Sequence, residues 1–116
     1  MSNCLWQLPA TELMRRYRER SLTPTEVVRA IHSRMDAVNP QLNAVVARRD
    51  AAVLAEADAS TQRFEQGAPL SVLDGIPLTV KDSLYLADLP TTCGTAKASS
   101  AACTASRPGR ARCSPT

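Results

Sequence analysis

The sequence is poor in large aromatic side chains and lacks long apolar runs. Its 116 residues include one Trp, two Tyr and one Phe, so few bulky groups can anchor a core. No apolar run is long enough to cross a bilayer as a helix. The first residues lack the basic and apolar regions of a secretory signal. These absences argue against a membrane protein and predict one small cytoplasmic domain.

Histidine and cysteine are also sparse. The single histidine, His32, is remote in sequence from the four cysteines, and no two cysteines form a C-x-x-C pair. A zinc site needs such ligands at short, regular spacing, and a disulfide framework is not expected without a secretory signal. The sequence therefore predicts no metal and no cofactor. His32 lies one step off an apolar helical stripe, which favours a boundary or surface position.

Positive charge is concentrated at the C-terminal end. Up to Ala96, ten Arg and Lys face eleven Asp and Glu, whereas residues 97–116 contain four cations and no acid. Residues 97–116 also contain no Val, Ile, Leu, Met, Phe, Trp or Tyr. A segment with so little apolar area is expected to be disordered, and without interleaved aromatics it is not expected to bind nucleic acid. We therefore divide the chain into a domain over residues 1–96 and a low-complexity tail over 97–116, for which a frameshift or a truncation of the reading frame is our hypothesis.

Apolar spacing and capping residues predict three helices. The first covers Ala10–Arg20 and the third covers Arg48–Gln66, which is rich in alanine. The second begins with a capping box between Thr23 and Glu26 and should end near Asn39, because the proline after it disfavours helical geometry. The side chains expected on the buried faces are Leu13, Met14, Tyr17, Val27, Ile31, Met35, Val38, Val53, Leu54, Ala57, Thr61 and Phe64.

Two short segments carry the pattern of strands. Residues 43–47 form a brief apolar run, and apolar side chains alternate along residues 76–82 after the turn signal Asp74-Gly75. Gly67 suits the position just past the third helix. The fold class predicted is α/β, with three helices and about two strands.

The second predicted strand ends in a lysine that differs from every earlier cation. Lys81 is the one lysine before residue 97; the other cations up to there are arginines. An arginine stays protonated, whereas a desolvated lysine can lose its proton and act as a base. A solvated lysine paired with Asp82 is the alternative interpretation.

The stretch Leu73-Asp-Gly-Ile-Pro-Leu-Thr-Val-Lys-Asp82, followed by Leu89-Pro-Thr-Thr-Cys-Gly94, resembles the start of the amidase signature family. The segments Ser21-Leu-Thr-Pro-Thr-Glu26 and Val38-Asn-Pro-Gln-Leu-Asn-Ala-Val45 add to the resemblance. Asp88 departs from it, since the family often has glycine there. The resemblance implies an N-terminal fragment of the family fold, with Lys81 as the catalytic base of a Ser–cis-Ser–Lys triad.

The chemistry implied by the resemblance is hydrolysis of the carbon–nitrogen bond of an amide. A serine attacks the carbonyl, a second serine relays its proton, and the unprotonated Lys81 accepts it. Since both serines are expected beyond this chain, residues 1–116 are predicted to be inactive alone, and a small-molecule amide to be a substrate of a full-length parent only. The alternatives are an A-subunit fragment of a tRNA-dependent amidotransferase, or a non-enzymatic module or gene remnant whose apolar faces bind a partner.

Overall fold

The computed structural model describes residues 4–87 and 89–93 of the chain. A 3-10 helix over Leu5–Gln7 is followed by α1 (Ala10–Arg18), α2 (Pro24–Leu42) and α3 (Asp50–Glu65). The chain divides into two compact units, whose described residues are 4–45 with 49–77, and 46–48 with 78–87 and 89–93. The predicted tail and Asp88 lie outside the described residues. None of the described helices is long and apolar enough to cross a membrane.

Helix α2 begins where its capping residues predict. Thr23 Oγ1 accepts a hydrogen bond from the Glu26 backbone N–H at 3.3 Å, and the Glu26 carboxylate accepts one from the Thr23 N–H at 2.9 Å. Pro24 takes the first helical position, where its missing N–H costs nothing. Both side chains therefore satisfy backbone donors at the start of the helix.

Helices α1 and α3 both end in a residue of left-handed conformation. Gly67 has φ of +70° just past α3, as predicted, and the next N–H donates to the Arg63 carbonyl at 2.8 Å. Arg20 has φ of +58°, and the next N–H donates to the Arg16 carbonyl at 3.1 Å. Both ends have the bonding of a Schellman motif. The first helix is therefore shorter than predicted, because the chain reverses at Arg20.

The predicted end of α2 near Asn39 is wrong, since the helix continues through Pro40 to Leu42. A proline in the last turn deletes one backbone bond of the helix. The Asn39 side chain stabilises the turn that follows, because its amide both donates to the Val45 carbonyl and accepts from the Val45 N–H, each at 2.9 Å. Asn43 closes the helix with φ of +48°.

The two predicted strands are not seen, and no strand occurs in the described residues. In the first segment, the Asn39 side chain binds both backbone groups of Val45 that a ladder would use. In the second, residues 76–81 have no regular structure and no paired strand among the described residues. Alternation specifies which face of a strand is apolar, but a strand also needs a neighbour to bond with. The described part of the fold is therefore helical rather than α/β.

A single core cluster holds the first unit together. Its buried members are Leu13, Tyr17, Leu22 and Val27, and the partly buried side chains packed against them are Leu5, Leu8, Ile31, Phe64 and Ile76. The rings of Tyr17 and Phe64 lie 5.5 Å apart between centroids at an angle of 51°. This tilted aromatic contact joins α1 to α3. Tyr17 and Val27 confirm the faces predicted for the first two helices.

Polar contacts accompany the packing of α2 on α3. The hydroxyl of Thr25 on α2 donates a hydrogen bond of 2.6 Å to the carboxylate of Asp58 on α3. His32 is a boundary residue as predicted, since its side chain is 14% exposed and its Nε2 lies 3.6 Å from an Asp50 carboxylate oxygen.

Candidate functional site

The turn before the extended segment is fixed by one buried carboxylate. Asp74 accepts hydrogen bonds from Arg63 Nε and a terminal Arg63 nitrogen at 2.7 Å each, from Ser60 Oγ at 2.8 Å and from the Leu70 N–H at 2.9 Å. Its side chain is only 4% exposed. Two of the donor residues lie on α3, so the carboxylate attaches the turn to that helix. We call these four residues the Asp74 clamp.

The clamp strongly favours the charged form of its carboxylate. The bidentate hydrogen bonds from Arg63 hold the pKa of Asp74 well below its ordinary value, although burial alone would raise it. The same hydrogen bonds raise the pKa of Arg63. A buried carboxylate with this many donors is satisfied, and it serves here to position backbone.

Gly75 lies so close to α2 and α3 that no other residue fits. A Cβ built on it would lie 2.6 Å from Pro24 Cγ and 2.8 Å from Ser60 Oγ, and its φ is +78°. Both the contact and the backbone conformation favour glycine. The Tyr17 hydroxyl donates to the Gly75 carbonyl at 3.2 Å, and burial raises the pKa of Tyr17 to about 12, so the hydroxyl remains a donor at neutral pH. Helices α1, α2 and α3 thus all contact the Asp74-Gly75 turn.

In the second unit, Lys81 lies at the end of the extended segment with an exposed side chain. Its carbonyl accepts the Leu84 N–H at 2.9 Å, which turns the chain. No hydrogen bond or ion pair to the Lys81 ammonium is found among the described residues, so the pairing with Asp82 that the alternative interpretation suggests is not seen there. The catalytic role of Lys81 remains a prediction.

The loop after Lys81 is closed by Asp82. The Asp82 carboxylate accepts the Thr92 N–H at 2.8 Å and also the Thr92 hydroxyl. The neighbouring Thr91 is buried, and its hydroxyl donates to the Leu84 carbonyl at 3.4 Å. Cys93 follows with an exposed thiol and φ of +52°. The two motifs Val-Lys-Asp and Pro-Thr-Thr are therefore brought together by Asp82 and Thr92.

The sequence gives less indication of the contacts made by Asp74 than of those made by Asp82. The sequence predicts Asp74 only as part of a turn, and its clamp is missed because Ser60 and Arg63 belong to a helix pattern that gives no sign of their partner. An acid directly before a glycine, with an arginine on the preceding helix, is the signal that the sequence offers. No group of three potential metal ligands occurs among the described residues.

Comparison with known proteins identifies the family. The family model "Amidase" matches residues 26–104, which include most of α2, all of α3, the Asp74-Gly75 turn and Lys81. The chain therefore belongs to the amidase family, as its motifs indicated. No solved structure gave a significant match.

The similar curated proteins are much longer than this chain. An acylamidase of Rhodococcus erythropolis is 38% identical over 92 residues, covering 79% of this chain and 19% of that protein. A fatty acid amide hydrolase of Arabidopsis thaliana is 42% identical over 82 residues, covering 68% and 14%. The A subunit of a glutamyl-tRNA(Gln) amidotransferase of Chloroflexus aggregans is 40% identical over 73 residues, covering 63% and 15%. The chain thus spans less than a fifth of the length of these relatives.

Proposed function

We propose that this chain supplies the lysine base of an amide-cleaving centre, with Lys81 as that base. The observation that carries the proposal is the family match across residues 26–104, which includes the Val-Lys-Asp motif. The motif follows a turn that three helices hold in place, and Asp82 ties it to the Pro-Thr-Thr loop. Within the second unit, the contact of Asp82 with Thr92 supports a defined backbone path directly after Lys81.

The reaction we propose is hydrolysis of a carbon–nitrogen amide bond. A serine hydroxyl attacks the carbonyl carbon while its proton passes through a second serine to the Lys81 amine. Collapse of the tetrahedral intermediate releases the amine, which takes up a proton, and water then hydrolyses the acyl-serine. A lysine accepts a proton only when burial disfavours its charged form, whereas the Lys81 side chain is exposed in the described structure.

It follows that residues 1–116 alone should not hydrolyse amides. The serines of the proposed triad are supplied by other parts of the amidase domain, and triad members act as a unit, so one member without the others has almost no effect. The same domain would have to cover Lys81. We place the activity in a cytoplasmic protein that includes the whole domain.

The A subunit of an amidotransferase is the second candidate. Several of the similar proteins have this description, including the one from Chloroflexus aggregans at 40% identity. The centre would be the same in both cases, since each breaks an amide carbon–nitrogen bond. In both cases water hydrolyses the acyl-serine, and what differs is the fate of the released nitrogen: it leaves as a free amine in hydrolysis, whereas a transferase passes it as ammonia to a second substrate.

The decisive experiment compares the amidase activity of two purified proteins, the short chain and a chimera that contains it. An anilide substrate is mixed with purified residues 1–116, and separately with a chimera in which residues 4–93 replace the corresponding segment of the Rhodococcus acylamidase. We expect no turnover by the short chain and turnover by the chimera that Lys81→Ala abolishes. Turnover by the short chain, or a Lys81→Ala chimera as active as its parent, would overturn the proposal.

A further inference from the structure

We propose that a cavity in the first unit binds an apolar α-amino acid. The cavity has a volume of about 230 Å³ and lies where the C-terminal ends of α1 and α3 meet the start of α2. All of its lining residues belong to the first unit, so the proposal does not depend on Lys81 or on the second unit. It goes beyond the proposed amide-cleaving function and can be tested on residues 1–116 alone.

The wall of the cavity is mostly apolar. Leu22 and Pro24 are buried, and Tyr17 and Phe64 contribute two rings whose centroids are 5.5 Å apart. A cavity of about 150 Å³ lined by apolar side chains already holds one benzene ring. The larger volume found here therefore suits a ligand that carries one ring or a branched aliphatic group.

The hydroxyl groups of the cavity wall already have partners within the fold. The Thr23 side chain caps α2. The Thr61 hydroxyl donates to the Ala57 carbonyl at 2.9 Å. The Tyr17 hydroxyl donates to the Gly75 carbonyl at 3.2 Å. Recognition of a polar ligand therefore depends on the charged side chains of the wall.

Two opposite charges line the cavity without pairing to each other. Arg20 and Glu65 have exposed side chains, and neither side chain forms a hydrogen bond or ion pair with any residue that the structure describes. A guanidinium binds a carboxylate, and a carboxylate binds an ammonium group. An α-amino acid carries both of these groups next to its side chain. Its carboxylate would bind Arg20, its ammonium group would bind Glu65, and its apolar group would contact the two rings.

The backbone at Arg20 supports a role for its side chain. Arg20 ends α1 with φ of +58°, a conformation that favours glycine, and Gly67 holds the equivalent position after α3. Glycine would satisfy the backbone at both helix ends. The chain has an arginine at the end where the side chain lines the cavity.

The test titrates L-phenylalanine into purified residues 1–116 and follows the ring protons of Tyr17 and Phe64 by NMR. We expect saturable shifts of these signals with a dissociation constant of about 1 mM or lower. Phenylpropionate lacks the ammonium group and phenethylamine lacks the carboxylate, so each should bind about fivefold more weakly than L-phenylalanine. The absence of saturable binding, or an analogue that binds as tightly as L-phenylalanine, would overturn the proposal.

Matched variants separate the two charges from general surface effects. Arg20→Gln and Glu65→Gln should each weaken the binding of L-phenylalanine about fivefold. Arg18→Gln alters an exposed arginine that does not line the cavity, and should change binding by less than about twofold. Unchanged binding in the Arg20→Gln and Glu65→Gln variants, or an equal loss in Arg18→Gln, would contradict the proposal.

A further variant distinguishes a binding role of Arg20 from a structural one. Arg20→Gly should weaken binding as much as Arg20→Gln does, while the melting temperature stays the same or rises, because the left-handed backbone favours glycine. A lower melting temperature in Arg20→Gly together with unchanged binding would show that the arginine serves the fold. None of these measurements involves amide turnover, so their outcome is independent of the proposed function.

Discussion

The Arg63 guanidinium donates two hydrogen bonds of 2.7 Å to the Asp74 carboxylate. These bonds join the last turn of α3 to the turn that precedes the amidase motif. Such a bidentate pair adds geometric definition as well as energy. The pair is nearly covered on the Asp74 side and 29% exposed on the Arg63 side.

Replacing Asp74 by Asn should destabilise the first unit by about 2–3 kcal/mol, because the Arg63 charge loses its partner. The amide also has a single acceptor oxygen, so Ser60 and Leu70, which bond to different carboxylate oxygens, cannot both keep an acceptor. Chemical denaturation followed by helical circular dichroism gives the free energy of unfolding. Glu12→Gln is the control, since it alters the ion pairs of Glu12 with Arg15 and Arg16 at the surface of α1 and should cost clearly less stability than Asp74→Asn. Equal losses in the two variants would show that the clamp is not important.

The same pair predicts how stability depends on pH. The pKa of Asp74 is lowered in the folded state, so its stabilising effect is fully present above the ordinary aspartate value of about 3.9 and is lost as pH falls below it toward the folded-state pKa. The difference in unfolding free energy between the wild type and Asp74→Asn should therefore shrink as pH is lowered from 5 to about 2. A difference that stays constant over that range would contradict the assignment.

Gly75→Ala should destabilise more than Gly67→Ala, although both glycines have positive φ. The Cβ added at Gly75 meets Pro24 Cγ at 2.6 Å, whereas nothing lies within 4 Å of one added at Gly67. We expect about 1 kcal/mol at Gly67 from the backbone alone, and at least about 2 kcal/mol at Gly75 once overpacking is added. Thermal melts of the two variants show which one is destabilised more, and a larger loss of stability in Gly67→Ala would contradict the interpretation.

Asp82→Ala should loosen the loop without unfolding the helices. The Thr92 N–H loses its carboxylate acceptor, so its exchange with solvent should accelerate by about tenfold or more. Asp58→Ala is the matched control, because it removes a carboxylate that bonds Thr25 in the other unit. Faster exchange at Thr92 in both variants would mean that the effect is not local.

The features that sequence analysis predicts correctly are those in which the partners are close in sequence. Thr23 and Glu26 cap α2 from three residues apart, and Gly67 ends α3 where its backbone freedom is needed. Residues 76–82 have the alternation of a strand, but a ladder depends on a second segment that no local pattern specifies. This is why the presence of the three helices is predicted correctly, although two of their ends are not, and why the two strands are not found.

Only part of the candidate site can be predicted from the sequence, because some of its contacts join residues that are far apart along the chain. Lys81 is singled out by resemblance of its motif to a family, and the family itself is confirmed. The Asp74 clamp is missed, because Arg63 and Asp74 are eleven residues apart and belong to different patterns. The alternative interpretation pairs Asp82 with Lys81, whereas Asp82 binds Thr92, ten residues farther along.

The exposed apolar side chains of Leu78 and Val80 affect how the purified chain behaves at high concentration. Exposed apolar extended segments pair with one another and aggregate. Lys81 and Asp82 follow Val80 directly, and charges that flank an apolar segment limit its association with other copies. Solubility should therefore depend on these two charges, and neutralising them would favour precipitation even if every helix stays intact.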